Sequence, residues 1–374
     1  GPISTSPAWG GGGGRPGAPP PPPPPPRPDA PPRPPRAPPG GRGGPPRGDD
    51  QQQQGTAHER GRRSMDVGLM VEGQHGLNWE NWRRMLATAE RLSFPTVFRS
   101  DHFFMLPTHQ QDSLDPYLSF TLAAAETERI RFGPLVTPIT FRHPANLGRM
   151  AAQIDLLSGG RFVMGIGAGW NVGEHAAYGL DFPGTKERFD RLTESIEVMQ
   201  ALWGEGPASY EGTHYRLEGA DCLPKPASGR PPILIGGSGE KRTLRLVAEF
   251  ADEWNTPAMP IDQYRHKCEV LEQHCEAVGR DPASIKRSMM SFGLVGPNEA
   301  AITHIGAVLT SKGLGGAAAG PAATVGGTTD EVIDTLGQLA ELGLDEIEFQ
   351  QFDFDSDEVP EYLAAEVAGR ARDL

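Results

Sequence analysis

The sequence predicts an α/β fold, a (β/α)8 barrel of the TIM type with insertion loops, preceded by a disordered Pro/Gly/Arg-rich tail. Three observations lead there. From Met65 onward short apolar runs alternate with amphipathic helical patterns, which is how βα units read. The runs number eight, the count of a closed barrel, and several end in glycine-rich turns where such barrels carry their chemistry. An open doubly wound sheet is the alternative that the same alternation allows.

In order, 66–71 reads as the first strand, and 79–92 as a helix whose Trp82, Met85, Leu86 and Ala89 recur at three- and four-residue spacing to form one apolar stripe. The second strand, 96–99, runs into Ser100, Asp101, His102 and Phe103. Strand three spans 130–137 with a helix over 146–157, and strand four spans 161–167 with a long helix over 185–203. An excursion at 204–229 holds Tyr210 and Tyr215 and is expected to form a hairpin or lid over the barrel. Strands five to seven fall at 232–235, 252–255 and 285–295, with helices at 243–250 and 264–278. The alanine- and glycine-rich stretch 296–327 is a second candidate lid, after which a helix at 330–342, strand eight at 346–352 and a helix at 359–368 close the ring.

Residues 1–64 hold more than half of the 38 prolines, including the homopolymeric stretch Pro21 to Pro26 within an unbroken run that begins at Pro19, and a glutamine run from Gln51 to Gln54. Such a segment buries too little apolar surface to offset its ordering entropy, so it is expected to be disordered with local polyproline II character. Its arginines suit an SH3-like partner or RNA. A mistranslated leader ahead of a natural start at Met65, or a passive linker, are the other readings. The whole chain has a net charge of -13 although this tail is basic, so the folded part, 65–374, is strongly acidic and an unsuitable surface for nucleic acid. Cys222, Cys268 and Cys275 form no disulfide framework, and no apolar run reaches membrane-spanning length, which together suggest a cytoplasmic protein.

Chemistry is expected where strands end. His102 can give or accept a proton near neutral pH, and the adjacent Asp101 could fix its tautomer. Gly165, Gly167 and Gly169 alternate through Ile166 and Ala168 toward Trp170, a pattern that lets a flat ligand approach the backbone. After strand five, Gly236, Gly237 and Ser238 precede a helix, an arrangement suited to a phosphate on free backbone amides; an ordinary Ser cap is the alternative. Thr137 and the stretch from Phe141 to Pro144 are placed at the floor of the same cavity, with His143 read as structural. No H-E-x-x-H, cysteine-histidine cluster, Walker sequence or G-x-S-x-G elbow is present, which counts against metal-centred and hydrolytic chemistry and leaves no metal expected.

These strings, as an ordered set, resemble the bacterial-luciferase-like superfamily and within it the F420-dependent branch. The set comprises 100–103 (SDHF), 165–171 (GIGAGWN) with Glu174, 177–179 (AYG), 182–183 (FP) with Arg188 and Leu192, 211–215, 224–226 (PKP), 231–241 (PPILIGGSGEK), 243–248 and 251–255. The resemblance covers roughly 65–374. It implies coenzyme F420, or alternatively FMN, with the ring across the barrel mouth, the phosphate at Gly236, Gly237 and Ser238, and the ring supported near Thr137, often beside a non-prolyl cis peptide. It implies contacts from Asp101, Gly167, Ala168, Gly169 and Trp170, and proton handling by His102 during hydride exchange with a small-molecule substrate. Lys241, Arg242 and Arg142 are candidates for a polyglutamate tail, and a homodimer is expected. Two departures stand out: Trp170 lies where the family's sugar-phosphate dehydrogenases carry a catalytic glutamate, and Leu106 near where they carry a tryptophan. An FMN-linked monooxygenase and a barrel without catalysis that serves as a binding partner are the competing readings.

Overall fold

A computed structural model describes residues 64–104, 111–227, 229–311, 314 and 325–374. The expected tail up to residue 63, the position of Leu106, and 312–313 and 315–324 of the second candidate lid lie outside the described residues.

The first strand is β1 (Asp66–Val71), followed by α1 (Trp79–Arg91), β2 (Thr96–Arg99), α2 (Pro116–Glu126), β3 (Arg131–Pro134), β4 (Thr137–Pro138) and α3 (Pro144–Ser158). Next come β5 (Met164–Gly167), α4 (Val172–Tyr178), α5 (Thr185–Trp203), the hairpin β6 (Ala208–Glu211) and β7 (Arg216–Ala220), β8 (Ile233–Gly236), α6 (Thr243–Phe250) and β9 (Glu253–Pro257). The chain continues through α7 (Ile261–Val278), β10 (Lys286–Ser291), β11 (Val295–Gly296), α8 (Glu299–Ser311), β12 (Gly327–Thr328), α9 (Thr329–Glu341) and β13 (Glu346–Gln351). A last helical stretch opens with α10 (Glu358–Tyr362) and turns π-helical over Leu363–Ala368.

Nine strands pair in the order β3-β2-β1-β13-β10-β9-β8-β5-β4, every pairing parallel. They fill eight barrel positions, because β3 and β4 are the two halves of one predicted strand. The break falls at Leu135–Val136, a non-prolyl cis peptide of the kind the resemblance implied. β3 reaches across to the fourth position through the Phe132–Phe162 bridge, and β4 pairs with β5, so the ring closes.

Alternation along each strand divides the side chains. Val67, Leu69, Val97, Met164, Ile233, Ile235, Trp254 and Ile347 face outward into one large core beneath the helices. Met70, Phe98, Leu135, Val163 and Leu234 form a separate small cluster inside the barrel. Helix ends are set by the sequence: Asn78 caps α1 by accepting from the Asn81 amide at 2.9 Å, and Pro144 opens α3 behind the His143 ring, which accepts from the Ala145 amide. His143 is thus a helix cap, as its structural reading anticipated.

Several boundaries differ from the expected ones. The seventh strand stops at Ser291, and Val295–Gly296 instead pairs with Gly327–Thr328 in a small separate sheet. The fourth begins only at Met164. Helices α2, α4 and α8 were not anticipated, α8 because its alanine-rich sequence carries little amphipathic contrast. The excursion after α5 is a hairpin, but its tip is held against that helix by Glu194, which accepts from the amides of Thr213, His214 and Tyr215, and none of its residues lines the mouth cavity. Among the described residues no helix is long and apolar enough to cross a membrane.

Candidate active site

A cavity of about 610 Å³ opens at the carboxyl ends of the strands. Its wall brings together His102, Gly167, Ala168, Gly169, Trp170, Gly236 and Gly237, all singled out from the sequence. Asp101, Thr137 and Ser238 are not among its described lining residues.

His102 follows β2 and is held by a partner that sequence adjacency did not identify. Its Nδ1 lies 2.8 Å from Glu174 Oε2, while Glu174 Oε1 accepts from the Phe103 amide at 2.6 Å. Glu174 is fully buried at the start of α4, where the cap Asn171 fixes the turn, and the His102 side chain is 14% exposed. Burial alone would lower the imidazole pKa, but the hydrogen bond and charge of Glu174, helped by Glu72 and Asp101, outweigh it and the net shift is upward. With Nδ1–H donated to Glu174, Nε2 is the nitrogen left for chemistry, and it has no hydrogen-bond partner among the described residues. Trp170, 63% exposed at the rim, meets the His102 ring edge-on at 5.4 Å.

Asp101 therefore does not orient His102. Its Oδ2 accepts from Thr137 Oγ1 at 2.8 Å and from Arg142 Nη1 at 2.5 Å, and Arg142 also bridges to Asp115 at 2.8 Å. Tyr117 completes the group, its hydroxyl 2.9 Å from Thr137 and its ring beneath the Arg142 guanidinium. Although burial opposes the charge on Arg142, Asp101 raises its pKa on balance. Arg142 is consumed by this buried network, which ties β2 to β4 and removes it as a candidate for a cofactor tail.

Two of the three alternating glycines also answer to the neighbouring third strand. A Cβ on Gly165 would collide with the Pro134 carbonyl, and one on Gly167 would stand 2.8 Å from Val136 Cγ2. Gly165 and Gly167 make room for the broken third strand, and Val136, at that break, lines the cavity beside Gly167.

Helix α6 starts at Thr243, where the sequence placed it, with Arg242 at its cap position and no side-chain cap, so Ser238 is not an N-cap. The Gly237 amide donates to the Asn255 carbonyl, whereas the Ser238 and Gly239 amides have no backbone acceptor among the described residues. Gly237 has φ +116°, a conformation that glycine adopts without strain, and Thr243 joins it on the cavity wall.

Sequence reasoning missed the polar side of the cavity. Ser100 donates to Gln74 Oε1 at 2.5 Å, Gln74 donates to Glu72 at 2.8 Å, and Gln350 also donates to Glu72. Asn255, on the floor, donates to Ser288 and to Glu348, whose carboxyl burial pushes well above the usual range. The signal was present: Glu72 and Ser100 directly follow β1 and β2, and Gln350 and Asn255 fall at inward positions near the ends of their strands. Arg188, at the start of α5, was noted only as part of the resemblance; it lines the cavity as well.

The model of the luciferase-like monooxygenase family matches residues 64–305. An F420-dependent hydroxymycolic acid dehydrogenase of Mycobacterium tuberculosis is 31% identical over 214 residues, covering 57% of this chain and 58% of the relative. An F420-dependent glucose-6-phosphate dehydrogenase of Intrasporangium calvum is 38% identical over 168 residues, 44% of this chain and 48% of the relative. The chain thus spans about half the length of these relatives. Among solved structures, an F420-dependent secondary alcohol dehydrogenase in complex with an F420-acetone adduct superposes with a TM-score of 0.71 at 19% identity, over 83% of this chain and all of the other, a likeness of fold.

Proposed function

This chain belongs to the luciferase-like monooxygenase family, and on that premise we propose that it is a coenzyme F420-dependent oxidoreductase interconverting a hydroxyl and a carbonyl on a small organic substrate. The observation that carries the reading is that His102, backed by Glu174, shares one cavity with the glycine turn after β8. An acid-base group and an anion-receptive turn on one cavity are what a phosphate-bearing redox cofactor and a protic substrate require together. The residues suit such a cofactor: Leu135, Val136 and Pro138 offer an apolar bed for a ring, and the Ser238 and Gly239 amides have no backbone acceptor.

When bound, the deazaflavin supplies two-electron exchange at its C5 carbon. His102 Nε2 takes the proton of a substrate hydroxyl, or returns one to a carbonyl oxygen, while Glu174 holds the ring in the matching tautomer and stabilises its charged form. The Asp101–Thr137–Arg142 group keeps the end of β2, and with it His102, fixed against the broken third strand. Trp170 in place of a strand-four carboxylate separates this site from a sugar-phosphate dehydrogenase. A homodimer is part of the proposal, drawn from family resemblance.

Titrating the purified protein with F420 and with FMN tests the assignment. Micromolar binding of F420 with weak or no binding of FMN is the expected result. Binding of FMN alone would convert the reading to a flavin monooxygenase, and binding of neither would leave a barrel without this chemistry.

A further inference from the structure

Beside the mouth cavity lies a second chamber of about 290 Å³, between α8 and α10. The two share Phe292, Gln350 and Phe352 as lining residues, so one wall separates them. Phe292 and Phe352 directly follow the paired strands β10 and β13, and their rings stack at 5.6 Å with planes 11° apart. Gln350 is held toward the mouth, where it donates to Glu72. The rest of the shared wall is therefore an aromatic pair, and side chains, unlike a strand, can part by a change of rotamer. Val295, Pro297, Ala301, Ile305, Leu309 and Val359 give the chamber apolar walls. Its polar side chains are engaged with the chain itself: the Tyr362 hydroxyl lies 2.5 Å from Thr329 Oγ1, Gln351 donates to the Phe349 carbonyl at 3.0 Å, and Ser356 accepts from the Glu358 amide at 3.1 Å. Asp353, Glu358 and His304 are exposed, and no lysine or arginine lines the chamber among the described residues. The mouth thus offers a proton-exchanging group, and the chamber offers apolar area. Such a space favours an apolar occupant, since each methylene moved into it from water is stabilised.

We propose that the substrate is an elongated alcohol or the corresponding carbonyl compound: its reacting carbon stands at His102, and an uncharged apolar arm passes the Phe292–Phe352 pair into the chamber between α8 and α10. The inference rests on the oxidoreductase reading above and names its substrate class. Continuity with the mouth selects this occupant, because a group in the chamber joins a reacting end in the mouth through the wall they share. A charged arm does not suit the chamber, since a carboxylate there would be desolvated beside Asp353 and Glu358 with no lysine or arginine to pair with among the described lining residues.

The test follows a neutral apolar fluorophore, aminoanthracene, bound to the full chain without cofactor, and its displacement by secondary alcohols lengthened one methylene at a time from isopropanol. Affinity should tighten about fourfold per methylene and level off once the chamber is full. An alcohol of the same length that ends in a carboxylate should lose most of that gain. Ala301→Phe on α8 and Val359→Phe on α10 fill the chamber from two helices, and each, once checked for an unchanged melting transition, should level the series several methylenes earlier. Affinity that does not depend on length, or a series that both folded variants leave unchanged, would overturn the proposal. So would native protein that binds neither the fluorophore nor the long alcohols, the chamber then being closed by the chain itself. Turnover of the same alcohols with F420 separates this inference from the reading beneath it. Oxidation that favours no length keeps the oxidoreductase assignment and overturns the elongated substrate, whereas length-dependent displacement without oxidation of any alcohol overturns the assignment and the substrate class together.

Discussion

The two ends of the barrel are both polar, both hollow, and built on opposite plans. At the base, a depression of about 850 Å³ is lined by Asp66, Arg131, Arg230, Asp252 and Lys286. There, carboxylates meet cations directly: Glu346 takes Lys286 at 2.6 Å along with Thr96, Glu253 takes Arg131, and Asp252 takes Arg230 along with the Ile233 amide. At the mouth the cavity is smaller, and it is bordered by His102, whose Nε2 has no hydrogen-bond partner among the described residues. Volume alone would choose the wrong end. What separates a working site from a structural one is polar capacity that the chain itself does not use, since matched charges lock strands together while unmatched ones await a ligand.

The contrast breaks most readily at His102. If the mouth does the chemistry, His102→Ala should lower turnover by about a hundredfold to ten-thousandfold, the span of general acid-base catalysis, with F420 affinity nearly unchanged. Steady-state turnover at saturating cofactor, alongside a cofactor titration, measures both quantities, and native-like turnover would remove His102 from the mechanism. The next largest effect belongs to the base. Glu346→Ala leaves Lys286, whose side chain is only 27% exposed, facing the barrel interior without its partner, and should cost about 3 kcal/mol of unfolding free energy. Urea denaturation measures this, and the folded fraction should bind cofactor with native affinity. A variant that kept its stability but lost cofactor binding would show that base and mouth are not the separate structural and functional ends argued here.

Much of this contrast was legible in the sequence, and the part that was not has a physical reason. Period-two apolar runs and stripes such as Trp82, Met85, Leu86 and Ala89 placed the strands and most helices, because outward-facing residues obey simple burial. The inward-facing residues do not: Glu346, Glu348, Lys286 and Ser288 sit inside the barrel as polar layers, so their pattern names no face. His102 could be found from its place after β2, but its partner could not, since Asp101 is adjacent in sequence and turned toward Arg142, while Glu174 comes from a different loop 72 residues on. Glycine spacing suggested close ligand approach at Gly165, where the Pro134 carbonyl is the neighbour, and at Gly167, which lines the cavity beside Val136. Only pairwise distances separate those two cases.

The finest test of the contrast is Glu174→Gln, which changes one atom type and leaves the shape of the mouth alone. Glutamine can still accept from the Phe103 amide through its oxygen, but it then presents an amide nitrogen to His102 Nδ1. That nitrogen donates, so the ring must accept at Nδ1 and carry its proton on Nε2, the wrong tautomer for receiving a proton from a hydroxyl. Because the variant acts through His102, its effect is bounded by that of His102→Ala, and a loss of about tenfold is expected for one charge-assisted bond. The pH dependence distinguishes this from simple damage. Glu174 raises the His102 pKa in the folded protein, so the stability that the pair contributes is fully present below the ordinary imidazole value and fades as pH rises through the elevated one. The native protein should therefore exceed the variant in melting temperature most on the acid side of neutrality, with the gap narrowing as pH climbs, and the His102-dependent limb of the rate profile should move to lower pH in the variant. A gap that stays constant with pH, or a limb that does not move, would mean that Glu174 serves only to brace α4.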